Sequence, residues 1–292
     1  MKSGFVSIIG RPNVGKSSIL NCIINNHVAI VSPRAGTTRN IIEGIYNTSD
    51  TQIVFVDTPG ISRPLNKLGV VLNKKSGSLT KDVDVIMFVV DGISGLGKGD
   101  KYILKTLSND IPVILVINKI DGLKKEVLLD RINSYKDLFN FADIVPVSAK
   151  RKENIDTLIN VLKKYLTDDI KYFNDDVITT SSIYFQISEL VREKLFNYLD
   201  EEIPHSLTCV VSNYEEEKDI ININVDIIID RKPLKKIIIG KNGSMLKKVG
   251  TEARLDIEKL LNKKVYLGLY VKTVENWRDK ENFLKNSGLI DE

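Results

Sequence analysis

Cysteine is scarce: Cys22 and Cys209 stand far apart with no CxxC partner. Neither a disulfide framework nor a zinc site is expected, and both read as small buried apolar residues. No apolar run approaches the ~20 residues needed to span a bilayer. No lipidation motif appears, and a strand pattern begins too early to leave room for a signal peptide, so a cytoplasmic location is expected. Charge of one sign is lacking as well: the formal net charge is +4, which in bulk does not announce nucleic acid. Internal repeats and low-complexity tracts are missing. What remains is a chain of 292 residues, a length that suits two domains, each burying its own core.

Four short stretches carry the chemistry. Gly10, Arg11, Pro12, Asn13, Val14, Gly15, Lys16 and Ser17 have the form GxxxxGKS, between an apolar strand-length run at 5–9 and a helical pattern opening at Ser18. That is the context a phosphate-binding loop requires. Its glycines let backbone N–H groups and the helix N-terminus point at phosphate oxygens. Lys16 then reaches the β and γ phosphates, and the Ser17 hydroxyl takes one position on Mg²⁺. Asp57 ends a strand pattern and is followed by Thr58, Pro59, Gly60 and Ile61. At the carboxyl end of an open sheet, that aspartate reads as the group holding Mg²⁺ through water, with the Gly60 N–H approaching the γ-phosphate.

Asn118, Lys119, Ile120 and Asp121 follow the apolar run 112–117, and Ser148, Ala149 and Lys150 follow a strand pattern at 144–147. Guanine offers two donors along its N1 and N2 edge, which one carboxylate accepts together. Asp121 therefore selects guanine over adenine, while Asn118 serves the N7 and O6 side and the Ala149 N–H donates to O6. An isolated Asn-x-x-Asp is more often a capped turn, and its position after a strand is what gives it weight. The four stretches together describe a pocket for GTP or GDP.

Strand patterns at 41–47, 51–57, 83–91, 112–117 and 142–147 alternate with helical ones at 100–107, 124–139 and 154–166. Such alternation predicts a doubly wound, mostly parallel α/β sheet over residues 1–168. A polar stretch at 169–182 reads as a linker. From 183 to 292 the order changes to helix (183–198), two strands (207–213 and 219–229), a strand-like run 237–239, a helix (244–261), a strand (264–272) and a last helical piece (275–285).

Between the strand-like run and the long helix stands Gly240-Lys241-Asn242-Gly243, a GxxG, inside a stretch from Arg231 to Gly250 with seven Lys or Arg and no acidic residue. The region from Tyr172 onward nonetheless holds 18 basic and 21 acidic residues, so the positive charge is a stripe rather than a whole domain. A lone GxxG is usually a helix-start turn. In this element order it reads as the loop of a type II KH domain, a smaller α+β unit whose glycines let single-stranded RNA phosphates approach closely. Lys235, Lys236, Ile239, Gly240, Lys241, Asn242, Gly243 and Lys247 are the candidate RNA contacts.

Over essentially its whole length the chain resembles the Era family of bacterial ribosome-associated GTPases, through these motifs, the run 239–254 and a Val271-Lys-x-x-x-x-Trp277 ending. The resemblance implies that Thr38, in Thr37-Thr38-Arg39, coordinates Mg²⁺ when GTP is bound. It also implies that Asn13 helps hold a K⁺ ion that complements charge between the phosphates, as an arginine finger would. Lys16, Thr38 and Gly60 are then the catalytic set. Ile61 stands where Ras-type enzymes place a water-orienting glutamine, so slow intrinsic turnover is expected. Family knowledge points to small-subunit ribosomal RNA near its 3′ end as target, the small ribosomal subunit as partner and its assembly as the process, for a monomer that also associates peripherally with the membrane. Two rivals are an RNA-binding protein whose nucleotide pocket does not turn over, and a tRNA-modifying GTPase of the same group. The first is opposed by the presence of Lys16, Ser17, Thr38 and Asp57, the second by the lack of a visible cofactor-binding domain.

Overall fold

The computed structural model describes residues 1–31, 42–57, 83–199 and 203–287. They fall into two compact units, one reaching Thr180 and the other starting at Ser181.

The first unit is a six-stranded sheet in the order β2-β3-β1-β4-β5-β6, with β1 Lys2–Ile9, β2 Ile42–Asn47, β3 Thr51–Asp57, β4 Val85–Asp91, β5 Val113–Asn118 and β6 Asp143–Pro146. Only β2 runs antiparallel, paired with β3 from Ile42 opposite Asp57 to Asn47 opposite Gln52. Every residue of β3 and β5 is buried, as is all of β4 but Asp91. Parallel strands covered on both faces have no solvent side to alternate toward, which is why these segments read as continuous apolar runs. The helices are α1 Lys16–Ile24, α2 Lys98–Leu104, α3 Lys125–Lys136 and α4 Ile155–Leu162. The chain leaves β1 toward β2 and β3 on one side and later adds β4, β5 and β6 on the other. The carboxyl end of β1 thus lies at the switch point of the sheet, where open α/β folds bind ligands.

Residues 169–180, expected as a linker, are stitched to the first unit. The Gln52 side chain, fully buried, accepts from the N–H groups of Tyr172 and Phe173 at 2.7 and 3.0 Å and donates to the Phe173 carbonyl at 2.8 Å. Farther on, the Ile45 N–H donates to the Ile178 carbonyl at 2.9 Å, and Thr179 Oγ1 donates to the Glu43 carbonyl at 2.6 Å. The polar composition that suggested a free tether instead satisfies the outer edge of β2.

The second unit is a three-stranded sheet, β7 Leu207–Glu216, β8 Ile220–Ile229 and β9 Lys264–Thr273, with β7 antiparallel and β9 parallel to the central β8. Its helices are α5 Ile183–Tyr198, α6 Lys232–Ile239, α7 Ser244–Leu261 and α8 Glu281–Asn286. Ile187, Val191 and Leu195 of α5 and Val249, Ala253 and Ile257 of α7 recur every four residues and join Ile223, Val225 and Ile227 of β8 in one core. Buried Trp277 donates from its indole N–H to the Ser206 carbonyl at 2.9 Å, tying the end of the unit to the entry of β7.

One expectation is corrected. The run 237–239 is the last turn of helix α6, not a strand. A three-residue apolar run carries no period of its own, and Pro233 in the first turn, with Ile238 buried and Ile237 exposed, marks a one-sided helix.

Candidate nucleotide pocket and nucleic-acid interface

Three of the four motifs converge at the carboxyl edge of the sheet because each follows a parallel strand: the glycine loop follows β1, Asn118 ends β5, and Ser148 comes just after β6. Asp57 ends β3 on the same edge, opposite Ile8 of β1. In the loop, Gly15 has φ +99°, and a Cβ there would lie 2.1 Å from Asn118 Nδ2. Only glycine combines that left-handed backbone with so close an approach.

The base-reading residues are laced to the phosphate loop. Asn118 Nδ2 donates to the Val14 carbonyl at 2.9 Å, and Asn118 Oδ1 accepts from the Ala149 N–H at 3.2 Å. Lys119 Nζ donates to the Asn13 carbonyl and to Asp91 Oδ2, both at 2.7 Å. Asp121 Oδ1 accepts from Ser148 Oγ at 2.7 Å. That hydrogen bond holds the Asp121 carboxyl below the usual range, with Lys150 and Arg151 adding to it. Asp121 is thereby an ionised acceptor aligned before any base arrives.

Lys16 is buried and its Nζ donates to the carbonyls of Gly10 and Arg11 at 3.2 and 3.1 Å. Burial lowers its pKa, an effect that the charge of Asp57 partly offsets. Burial pushes the Asp57 carboxyl up to about 6 against the opposing influence of Lys16 and Ser17. Ser17 Oγ donates to Asp57 Oδ2 at 2.7 Å, while the fully buried Asp57 Oδ1 has no hydrogen-bond partner among the described residues. A buried carboxylate oxygen with nothing to accept from, beside a hydroxyl, is the hard-oxygen set that suits Mg²⁺. Thr37, Thr38, Arg39, Thr58, Pro59, Gly60 and Ile61 lie outside the described residues.

Two contacts in this region carried no sequence signal: Asp91, which orients Lys119, and Asp100, which receives the Arg11 side chain. Both come from strand or helix ends where an aspartate is ordinarily a turn former or cap.

In the second unit, helix α6 ends at Gly240 (φ +74°), Asn242 takes φ +52°, Gly243 takes φ +76° and α7 begins at Ser244. A Cβ on Gly240 would sit 2.8 Å from the Met245 Cβ, whereas a Cβ on Gly243 would meet nothing within 4 Å. Gly240 thus makes the turn compact, and Gly243 leaves the outside of the loop open to an approaching backbone. Lys235, Lys236, Lys241, Asn242 and Lys247 are exposed, while Ile239 packs against the core. Beside the loop runs a groove of about 410 Å³ between α7 and β9, lined by Leu246, Gly250, Arg254, Tyr266, Leu267 and Leu269 among others. None of these six was among the RNA contacts expected from sequence, because the groove exists only once β9 lies beside α7.

No helix among the described residues is long and apolar enough to cross a membrane. The domain family described as a 50S ribosome-binding GTPase matches residues 5–119, and the KH domain family matches residues 202–278. The chain is 44% identical over 290 residues to the GTPase Era of Clostridium kluyveri, covering 99% of both proteins. It is 45% identical over 293 residues to that of Staphylococcus haemolyticus, covering 100% of this chain and 98% of the relative. Among solved structures, an Aquifex aeolicus Era variant bound to GDP·AlF4⁻ superposes over 100% of both chains with TM-score 0.94 at 37% identity. A crystal structure of Era in complex with MgGDPNP and nucleotides 1506–1542 of 16S ribosomal RNA matches with the same TM-score, identity and coverage. A P-loop domain and a KH domain in this order, with full-length identity of this degree, place the chain in the Era family of GTPases.

Proposed function

We propose that this chain is a GTP-hydrolysing switch that binds small-subunit ribosomal RNA near its 3′ end through the KH domain and assists assembly of the small ribosomal subunit in the cytoplasm. One observation carries the nucleotide half: Asp121, held ionised by Ser148, belongs to the base-reading motif whose Asn118 and Lys119 are bonded to the phosphate loop. Guanine recognition and phosphate grip are thus one connected construction. The RNA half is supported by the open GxxG turn with its exposed lysines and by the 16S ribosomal RNA complex of a full-length relative.

In this reading the N–H groups of loop 10–17 and Lys16 bind the β and γ phosphates, and Ser17, Asp57 and Thr38 would hold Mg²⁺. That ion, when bound, neutralises charge on the phosphate oxygens. Thr38 and Gly60 grip the γ-phosphate and let go once it leaves. Ile61 cannot orient a water, so turnover would rest on Lys16 and backbone donors; Asn13 would help hold a K⁺ ion, which would supply positive charge between the phosphates. Lys235, Lys236, Lys241 and Lys247 contact RNA phosphates, while Ile239, Gly240, Asn242 and Gly243 shape the turn that admits them.

Two measurements test this. Phosphate release from GTP should appear with Mg²⁺ and rise when K⁺ replaces Na⁺. Crosslinking the full chain to RNA and sequencing the fragments should recover the 3′ end of small-subunit ribosomal RNA. Release from ATP as fast as from GTP would sink the first half, and fragments scattered over the RNA the second.

A further inference from the structure

Behind the phosphate loop lies a polar cluster, centred on the buried Asp100, that joins the loop through Arg11. Arg11, the second residue of the loop, reaches with its side chain to the first turn of α2 and to the turn at 94–95 before it. Its Nε donates to Asp100 Oδ1 at 2.8 Å, and its Nη2 to the Gly95 carbonyl at 3.0 Å and Ser94 Oγ at 3.3 Å. Asp100 is fully buried, and its Oδ2 accepts from the Gly97 N–H at 2.8 Å and from the Tyr135 hydroxyl at 3.1 Å. Tyr135 comes from α3 and is also fully buried. Gly97 and Gly99 cut the seat for the arginine: a Cβ on Gly97 would lie 2.8 Å from Arg11 Nη1, and one on Gly99 2.7 Å from Arg11 Cδ.

The plain role for Asp100 is to cap the start of α2, where its bond to the Gly97 N–H places it. Capping alone accounts for neither the burial nor the partner 89 positions earlier. Withdrawing a carboxylate from water costs several kcal/mol unless it is fully paired. The far side of the tie shows a use for it. The Arg11 main chain, held by its own side chain, supplies one of the two carbonyls that hold Lys16 Nζ, and the adjacent Gly10 supplies the other. A loop fixed beforehand loses less entropy when a phosphate enters.

We propose that Asp100 is a positioning residue of the nucleotide site: acting through Arg11, it fixes the loop that seats Lys16 and so sets affinity for a β-phosphate. This rests on the reading of the pocket as a guanine-nucleotide site. GDP and GMP separate the effect, because GMP lacks the phosphate that the loop holds.

The experiment is calorimetry of GDP and GMP with the full chain as wild type, Asp100→Asn, Arg11→Met and the double variant. Asparagine keeps an acceptor for the Gly97 N–H and removes the charge that Arg11 needs. Each single variant should weaken GDP about tenfold, the scale of one charge-assisted hydrogen bond. The double should be no worse than either single to within about twofold, the limit of measurable non-additivity, with GMP unchanged within the same limit. Additive losses, an Asp100→Asn affinity equal to wild type, or an equal loss for GMP would each overturn the proposal. If Asp100→Asn fails to fold, Arg11→Met decides alone, and an unchanged ratio of GDP to GMP affinity overturns it. Wild type binding no GDP would bring down the nucleotide reading itself, a result distinct from variants that bind as wild type does.

Discussion

The nucleotide pocket and the GxxG loop, both proposed above to meet phosphates with positive charge, are built in opposite ways. In the pocket, four described side chains assigned to the ligand have protein partners: Lys16 on two carbonyls, Ser17 on Asp57, Asn118 on Val14, Asp121 on Ser148. Beside the loop, the ammonium groups of Lys235, Lys236, Lys241 and Lys247 have no hydrogen bond or ion pair among the described residues. Buried charges must be paired to be tolerated, whereas exposed lysines are solvated and need no partner. The first arrangement favours one ligand held in one pose. The second suits a longer, flexible polyanion, bound at a strength that depends on salt.

The sharpest way to break the comparison is Asp121→Asn. A site built around hydrogen bonds to its ligand discriminates by up to about 10⁴–10⁵ through them, so GTP affinity should collapse and xanthine nucleotides should compete, as read by calorimetry. Unchanged preference for GTP would remove Asp121 from its role. Next comes Gly15→Ala, which places a Cβ against Asn118 Nδ2 at a residue with φ +99°. Strain and overpacking of about 3 kcal/mol should reduce GDP affinity by about a hundredfold, with RNA affinity unchanged.

On the other side, Gly243→Asp adds a negative charge and strain at φ +76° where space is open. RNA affinity in a filter-binding assay should fall by about tenfold, the scale of a lost charged contact, while GDP affinity stays the same. Equal loss of both would mean misfolding rather than a local effect. The smallest expected change is for Lys247→Gln. It should lower the slope of log affinity against log salt by about 0.7, the value for one phosphate contact to a single strand, and a slope unchanged within error would place Lys247 outside the RNA footprint.

Much of the architecture was legible because its signals are local. The strand at 51–57 and helix 244–261 were expected at the bounds observed, since the first has an apolar centre at 53–56 that ends in Asp57 and the second keeps one apolar face over five turns. Errors fell where local pattern is weak. The three isoleucines at 237–239 are too few to show whether they belong to a strand or to a helix, and tertiary packing of Ile238 decided it. The polar segment 169–180 read as a tether because its partners, Gln52, Glu43 and Ile45, lie more than a hundred residues earlier in the chain.

Sequence alone determined which motifs are present and hence which chemistry is proposed, because a phosphate loop, a base-reading tetrapeptide and a GxxG turn are each made of neighbouring residues whose backbone geometry is set by their own glycines and flanking elements. Tertiary structure decided how those pieces support one another: Asn118 locked to Val14, Lys119 shared between Asn13 and Asp91, Arg11 anchored on Asp100, and a groove opened between α7 and β9. Such contacts join residues brought together by strand order and helix packing. No spacing along the chain encodes them.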